Sequence, residues 1–120
     1  MPSRIIKESI TTSESLAGVS ADAERLFWRL VVKADDYGLY YGNPKILSSM
    51  CFPLNPPTEK KIQSWLAELV GQGMVGTYTS EEDGKQYLKL LSWDKHQQTR
   101  AKKSKYPLPV SFDNICRQAN

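Results

Sequence analysis

Cysteine and histidine are scarce in this chain of 120 residues, which contains two cysteines and one histidine. Cys51 and Cys116 are too few for a disulfide framework or a zinc site, so two reduced thiols are the expected state. His96 has only Asp94 at ligand spacing, which favours hydrogen bonding or a phosphate contact over metal binding. The sequence therefore predicts no metal site and no cofactor.

Catalytic signatures and long apolar runs are missing as well. The sequence has no nucleophile elbow and no phosphate-binding glycine loop, so we expect that the protein is not an enzyme. No apolar run approaches the ~20 residues that a membrane helix needs. The residues from Met1 to Glu8 lack the apolar segment of a signal peptide, and we expect a cytoplasmic protein without a membrane partner.

Acidic residues are absent from residues 95–105, although that segment carries five cations. These cations are Lys95, Arg100, Lys102, Lys103 and Lys105. Residues 1–94 carry ten Lys and Arg against twelve Asp and Glu, so the body of the chain is nearly neutral. A basic segment of this kind suggests a polyanion partner, and a solvated linker is the alternative interpretation. We divide the chain into a domain over residues 1–94 and a basic tail over residues 95–120, in which residues 106–109 read as an extended, proline-containing linker.

The stretch from Thr58 to Trp93 organises the chain. Thr58 is a good N-cap, and five apolar residues then follow at helical spacing on one face. These are Ile62, Trp65, Leu66, Leu69 and Val70. Gly71 and Gly73 end the helix, and residues 74–79 and 85–93 read as two strands around an acidic loop with Asp83-Gly84 at its tip.

The preceding residues read as support for that unit. Residues 4–10 are interpreted as a short strand or an extended arm, and residues 14–17 as a short helix. Ser20 caps a main helix whose apolar stripe is unbroken. The stripe consists of Ala23, Leu26, Phe27, Leu30, Val31 and Ala34. Trp28 and Val32 lie off it, so we expect a second face of this helix to be covered, with the arm as a candidate. A strand over residues 39–41 and a helix opened by Asn43-Pro44 complete the order.

This order predicts an α+β fold, a winged helix-turn-helix. It consists of a three-helix core with a C-terminal β-hairpin wing, plus an N-terminal arm and a basic C-terminal tail. The adjacent Tyr40 and Tyr41 lie on a predicted strand, so only one can point inward and we expect the other to be exposed.

Several segments, in this order, resemble one family. They are Arg25-Leu26-Phe27-Trp28-Arg29-Leu30, Ala34-Asp35-Asp36-Tyr37-Gly38, Asn43-Pro44, Phe52-Pro53, Trp65-Leu66, Leu69, Gly73, Tyr87-Leu88, Ser92-Trp93-Asp94-Lys95-His96-Gln97 and Lys103-Ser104-Lys105-Tyr106-Pro107. Over roughly residues 4 to 109 the chain resembles the N-terminal domain of phage and prophage replication initiators, the replisome organisers. The resemblance implies a winged-helix DNA-binding domain in a longer replication protein, with DnaD-type primosomal proteins as relatives.

The candidate DNA-binding residues form two groups. Lys60, Lys61, Gln63 and Ser64 occupy the front of the Thr58 helix, from which a recognition helix reaches base edges, although any solvated helix start has such residues. Lys85, on the flank of the wing, and the tail residues Lys95, His96, Arg100, Lys102, Lys103 and Lys105 are expected to contact phosphate. Glu81, Glu82 and Asp83 would repel phosphate, so we interpret the wing tip as a solubility feature or a protein contact.

Two functions remain open. The first is a replication-initiation domain that binds duplex DNA through the helix over residues 58–72 and the basic tail. The second is a winged-helix module for oligomerisation or partner docking, because a fold does not fix a function. The expected partners are duplex DNA, replication proteins such as a helicase loader or primosome components, and further copies of the chain through the arm and the exposed tyrosine.

Overall fold

The structure is a computed structural model that describes Arg4, residues 6–91, Tyr106 and Pro107. The elements are a 3₁₀ turn (Glu8–Thr12), α1 (Glu14–Ala17), α2 (Ala21–Lys33), β1 (Leu39–Tyr41), α3 (Pro44–Cys51), α4 (Glu59–Gly71), β2 (Val75–Thr79) and β3 (Gln86–Leu90). The α+β class is confirmed: the described residues form four α-helices and a three-stranded antiparallel sheet. The arrangement is compatible with a small winged-helix-like domain. None of the described helices combines the length and the apolar composition needed to cross a membrane.

Short-range capping sets where the helices begin. The side chain of Ser20 accepts a hydrogen bond from the backbone N–H of Ala23, and Asn43 accepts from that of Lys45. Both predicted caps are confirmed, as is Pro44 at the first turn of α3. Gly73 has a φ of +72°, a left-handed conformation that disfavours a Cβ atom and turns the chain out of α4 into β2.

The sheet has the order β1-β3-β2, so β3, the last of the described strands, is its central strand. β2 and β3 form the predicted hairpin, with Val75 opposite Leu90 and Thr79 opposite Gln86. Compared with the predicted residues 74–79 and 85–93, β2 begins at Val75 and β3 spans Gln86–Leu90, while Ser92 and Trp93 lie outside the described residues. β1 pairs with the other edge of β3, which ties the segment between α2 and α3 to the hairpin.

The core lies where α2, α3 and α4 meet the sheet. Leu26 and Leu30 of α2 and Ile62 and Leu69 of α4 are completely buried together, as the two apolar stripes predicted. Phe27 is only half-buried at the edge of this core. The expectation of a second covered face on α2 is wrong for Val32, whose surface is 44% exposed.

The N-terminal arm is not a strand, because Glu8–Thr12 forms a 3₁₀ turn. Arg4 instead caps the C-terminal end of α2. Its guanidinium donates to the carbonyl oxygens of Val31 and Ala34, at 3.4 and 2.7 Å, and pairs with Asp36 at 3.1 Å. Carbonyls at a helix end lack intrahelical partners, so a buried cation stabilises that end.

Tyr106 and Pro107 lie against the sheet, which differs from the expectation of an extended linker over residues 106–109. The Tyr106 ring packs against those of Tyr40, Tyr41 and Tyr87, with centroids 5.7, 5.1 and 6.2 Å apart. The hydroxyl of Tyr78 donates to the carbonyl oxygen of Pro107 at 2.5 Å. The expected exposed tyrosine is therefore wrong, since Tyr40 is buried and Tyr41 is half-buried beneath Tyr106.

Candidate nucleic-acid interface

The front of α4 presents to solvent all four residues predicted to reach DNA from this helix. Lys60, Lys61, Gln63 and Ser64 are exposed, whereas the intervening apolar positions face the core. The Oγ1 atom of Thr58 accepts from the backbone N–H of Lys61 at 3.3 Å. This cap fixes the first turn of α4, which is the turn that carries both lysines.

A groove of about 500 Å³ lies between α4 and the sheet. Gln63 and Ala67 line it from α4, Thr77 and Thr79 from β2, and Gln86 from β3. No lysine, arginine or carboxylate is among its lining residues. Amides and hydroxyls both donate and accept hydrogen bonds, which is the chemistry needed to contact base edges. Positive charges that pair with phosphate therefore have to come from residues outside the lining of this groove.

The loop between β2 and β3 is acidic and well fixed. Asp83 accepts from the Tyr87 hydroxyl at 2.6 Å and from the backbone N–H of Lys85 at 2.9 Å. The hydrogen bond from Tyr87 lowers the pKa of the Asp83 carboxyl, and the same bond raises the pKa of Tyr87 to about 12. Asp83 therefore stabilises the turn, a role that the sequence interpretation missed, while Glu81 and Glu82 stand exposed beside it.

The cations of the hairpin differ in exposure. Lys85 is exposed directly after the loop, where its side chain can reach a ligand on the flank of the hairpin. Lys89 is half-buried in the central strand, opposite Leu39 on one side and Gly76 on the other. Of the two, Lys85 is the better placed for a phosphate contact.

The predicted tail residues lie outside the part of the chain that the structure describes. They are Lys95, His96, Arg100, Lys102, Lys103 and Lys105. The described residues on either side of this segment are Leu91, next to β3, and Tyr106, which packs on the sheet. Leu91 and Tyr106 both pack against the cluster formed by Leu39, Tyr78 and Tyr87.

Glu68 has a structural role that the sequence interpretation missed. Its two carboxylate oxygens accept from the backbone N–H of Ser20 at 2.7 Å and from the Ser20 hydroxyl at 2.8 Å. Glu68 thus joins α4 to the start of α2, where a negative charge also suits the helix dipole. The two residues are 48 positions apart, so no local pattern could have indicated the pair.

The two acids after α2 are also used structurally. Asp35 is buried, and its Oδ1 atom accepts from the backbone N–H groups of Tyr37 and Leu39 at 2.9 and 3.0 Å. Asp36 pairs with Arg4. Among the residues that the structure describes, no three His, Cys, Asp or Glu side chains are grouped as a metal site requires.

Comparisons of the chain with models of protein families, with curated proteins and with solved structures find no match. The order of the elements and the chemistry of the groove between α4 and the sheet are therefore the features that bear on function.

Proposed function

We propose that the chain is a winged helix-turn-helix domain of a phage or prophage replication-initiation protein, and that it binds duplex DNA. In this proposal α3 and α4 are the helix-turn-helix, α4 is the recognition helix, and β2 and β3 form the wing. Two features support this assignment. The elements follow one another as helix, strand, helix, helix and hairpin, and the sheet has the order β1-β3-β2. The resemblance to replisome organisers supplies the biological role.

One observation carries the DNA proposal: a capped helix presents an exposed polar front beside an uncharged groove, in which amides and hydroxyls stand among apolar residues such as Leu66 and Val70. Such a surface offers base-edge contacts through Gln63 and Ser64 and phosphate contacts through Lys60 and Lys61. The helix N-terminus adds a partial positive charge at the same place, which the exposed carboxylate of Glu59 in the first turn partly offsets.

The alternative function, a docking or oligomerisation module, is favoured by the acidic hairpin loop. Glu81, Glu82 and Asp83 would face phosphate with like charge if the hairpin approached DNA as a wing. The loop therefore suits a protein surface better than a DNA groove. The two functions make different predictions for the same set of variants.

The test is a fluorescence-anisotropy titration of the whole chain against labelled duplex and single-stranded DNA at two salt concentrations. We expect duplex affinity to fall when Lys60 and Lys61 are both changed to alanine. We expect Gln63→Ala to change the preference among duplex sequences, by about 1–3 kcal/mol at a base that is directly contacted. Lys33→Glu, on the outer side of α2, is the matched charge control and should leave binding unchanged.

The tail and the hairpin loop are tested separately. Replacing Lys102, Lys103 and Lys105 should weaken binding to all duplexes alike and reduce the salt slope by roughly one per lost phosphate contact. Glu81→Gln and Glu82→Gln should leave binding unchanged or tighten it. If the tail variant no longer binds duplex DNA while the Lys60/Lys61 variant binds it normally, α4 is not a recognition helix. The docking function would then explain the results better than sequence-specific DNA binding.

A further inference from the structure

A second groove lies on the outer side of α2, away from the α4 groove. It has a volume of about 500 Å³ and is formed by α2 and the C-terminal end of α3. Its floor is apolar: Trp28 and Val32 come from α2 and Met50 comes from α3. Val32 and Met50 are each 44% exposed, although they are among the larger apolar side chains of the domain. The two grooves share no lining residue.

Three cations border this floor. Arg25, Arg29 and Lys33 stand at every fourth position of α2, so they form a row about 12 Å long on one face of the helix. No acidic residue lines the groove. The nearest acids described on α2 are Asp22, which pairs with Arg25 at 3.5 Å, and Glu24, which accepts from the indole N–H of Trp28. Both lie towards the start of the helix.

Arg29 is held in place by neutral partners, whereas Arg25 contacts aromatic rings and also pairs with Asp22. Arg29 donates to the carbonyl oxygen of Cys51 at 2.7 Å, and its guanidinium lies 4.5 Å from the centre of the Phe52 ring. Arg25 lies 4.9 Å from the same ring and 5.6 Å from that of Trp65. Carbonyls and aromatic rings orient a guanidinium without neutralising its charge. Arg29 and Lys33 therefore keep a positive potential beside exposed apolar surface, while the charge of Arg25 is partly balanced by Asp22.

Cations beside exposed apolar surface favour one kind of ligand. A nucleic-acid backbone could pair with the cations but would bring no apolar groups to cover Val32 and Met50. The acidic hairpin loop of a second copy is also a poor match, because residues 81–84 contain no apolar side chain and Asp83 is already bound to Tyr87. A peptide with carboxylates on one side and aliphatic or aromatic side chains on the other satisfies both parts of the groove.

We propose that the groove between α2 and α3 binds an acidic, amphipathic segment of a partner protein. Apolar side chains of that segment pack on Trp28, Val32 and Met50. Its carboxylates pair with Lys33 and take the place of Asp22 beside Arg25. Arg29 keeps its bond to Cys51 and contributes charge. The site is independent of the DNA proposal, since it uses a different face of the domain.

A random peptide library displayed on phage is first selected for binding to the whole chain. The affinity of labelled synthetic copies of the enriched peptides is then measured by fluorescence anisotropy. We expect enriched peptides to combine net negative charge with aliphatic or aromatic residues. Their dissociation constant should rise about tenfold with Lys33→Glu. It should rise similarly with Val32→Ser, but only Lys33→Glu should also flatten the salt dependence.

Control variants separate this site from the others. Lys45→Glu changes an exposed lysine at the other end of α3 and should leave peptide affinity unchanged, as should alanine at Lys60 and Lys61. Thermal unfolding followed by circular dichroism checks that each variant folds, and Val32→Ser and Lys33→Glu test the groove independently. Arg29 is left unchanged because it holds the end of α3.

Three results would overturn the proposal. Enriched peptides without acidic residues, or with equal affinity for wild type and Lys33→Glu, would show that the cation row does not select the ligand. Loss of duplex DNA binding on Lys33→Glu would assign the row to nucleic acid. The chain could also self-associate. If self-association is lost in the Lys33→Glu variant and also in the Glu81→Gln/Glu82→Gln double variant, the ligand of the groove is a second copy of the chain.

Discussion

Truncation of Tyr106 to alanine should destabilise the domain, although this residue follows the basic segment and lies outside the described helices and strands. Its ring makes three aromatic contacts, and each such pair contributes about 0.5–1.5 kcal/mol beyond the burial of area. Tyr106 is only half-buried, so the loss should fall below the 3–5 kcal/mol typical of a fully buried aromatic residue. We expect Tyr106→Ala to lower the free energy of unfolding by about 2–3 kcal/mol.

Urea denaturation measures this loss, and Tyr106→Phe is the control because it keeps the ring. Tyr78→Phe should cost about 0.5–1.5 kcal/mol, since it removes the hydrogen bond to the Pro107 carbonyl. In the Tyr106→Ala background that cost should largely vanish, because Pro107 is no longer held near Tyr78. Equal midpoints for wild type and Tyr106→Ala, or fully additive losses in the double variant, would refute the docking of Tyr106 and Pro107 as one unit.

Three further predictions concern the core, the glycines and alkaline pH. Leu66→Ala should cost about 2–5 kcal/mol, whereas Val32→Ala on the exposed side of α2 should change stability by less than about 0.5 kcal/mol; urea midpoints compare them. Gly73→Ala should destabilise the folded domain by about 1–2 kcal/mol, because the φ of Gly73 is positive. Gly71 lies at the end of α4 with open space around its Cβ position, so Gly71→Ala should leave the melting temperature unchanged or raise it. Four tyrosines have raised pKa values, so the folded state keeps protons that the unfolded state releases. They are Tyr40, Tyr78, Tyr87 and Tyr106. Stability should be intact below the ordinary pKa of 10.0 and fall as the pH rises towards about 12, the pKa of Tyr87; a melting temperature that stays constant over this range would contradict it.

The elements that were predicted correctly from the sequence are those that form through interactions between residues close together in the chain. Ser20, Asn43 and Thr58 each cap a helix through a backbone N–H two or three positions away, so the cap and the helix can be inferred from one short window. The apolar stripes of α2 and α4 are predictable for the same reason, because helical periodicity alone decides which side chains can share a face.

The interactions that the sequence did not reveal join distant residues through polar or aromatic groups. Glu68 with Ser20 and Arg4 with the end of α2 depend on how the elements pack, which no window of residues contains. Tyr41 illustrates the same limit: alternation along β1 predicts that it points away from Tyr40, but not that Tyr106 covers that side of the sheet. Two of these pairs change a functional interpretation, since the sequence predicts the arm and one of the two adjacent tyrosines as contacts between copies of the chain.

The distribution of charge bears on how the proposed DNA contact can work. The α4 groove is neutral, and Lys60 and Lys61 on the first turn of the helix supply about two phosphate contacts, which corresponds to a salt slope of about −2. If the five cations of residues 95–105 also bind phosphate, the slope approaches about −6. A slope near the first value would mean that the basic segment does not touch DNA and that α4 acts alone. A slope near the second, together with sequence preference that depends on Gln63, would mean that one part of the chain supplies affinity and another selects the site.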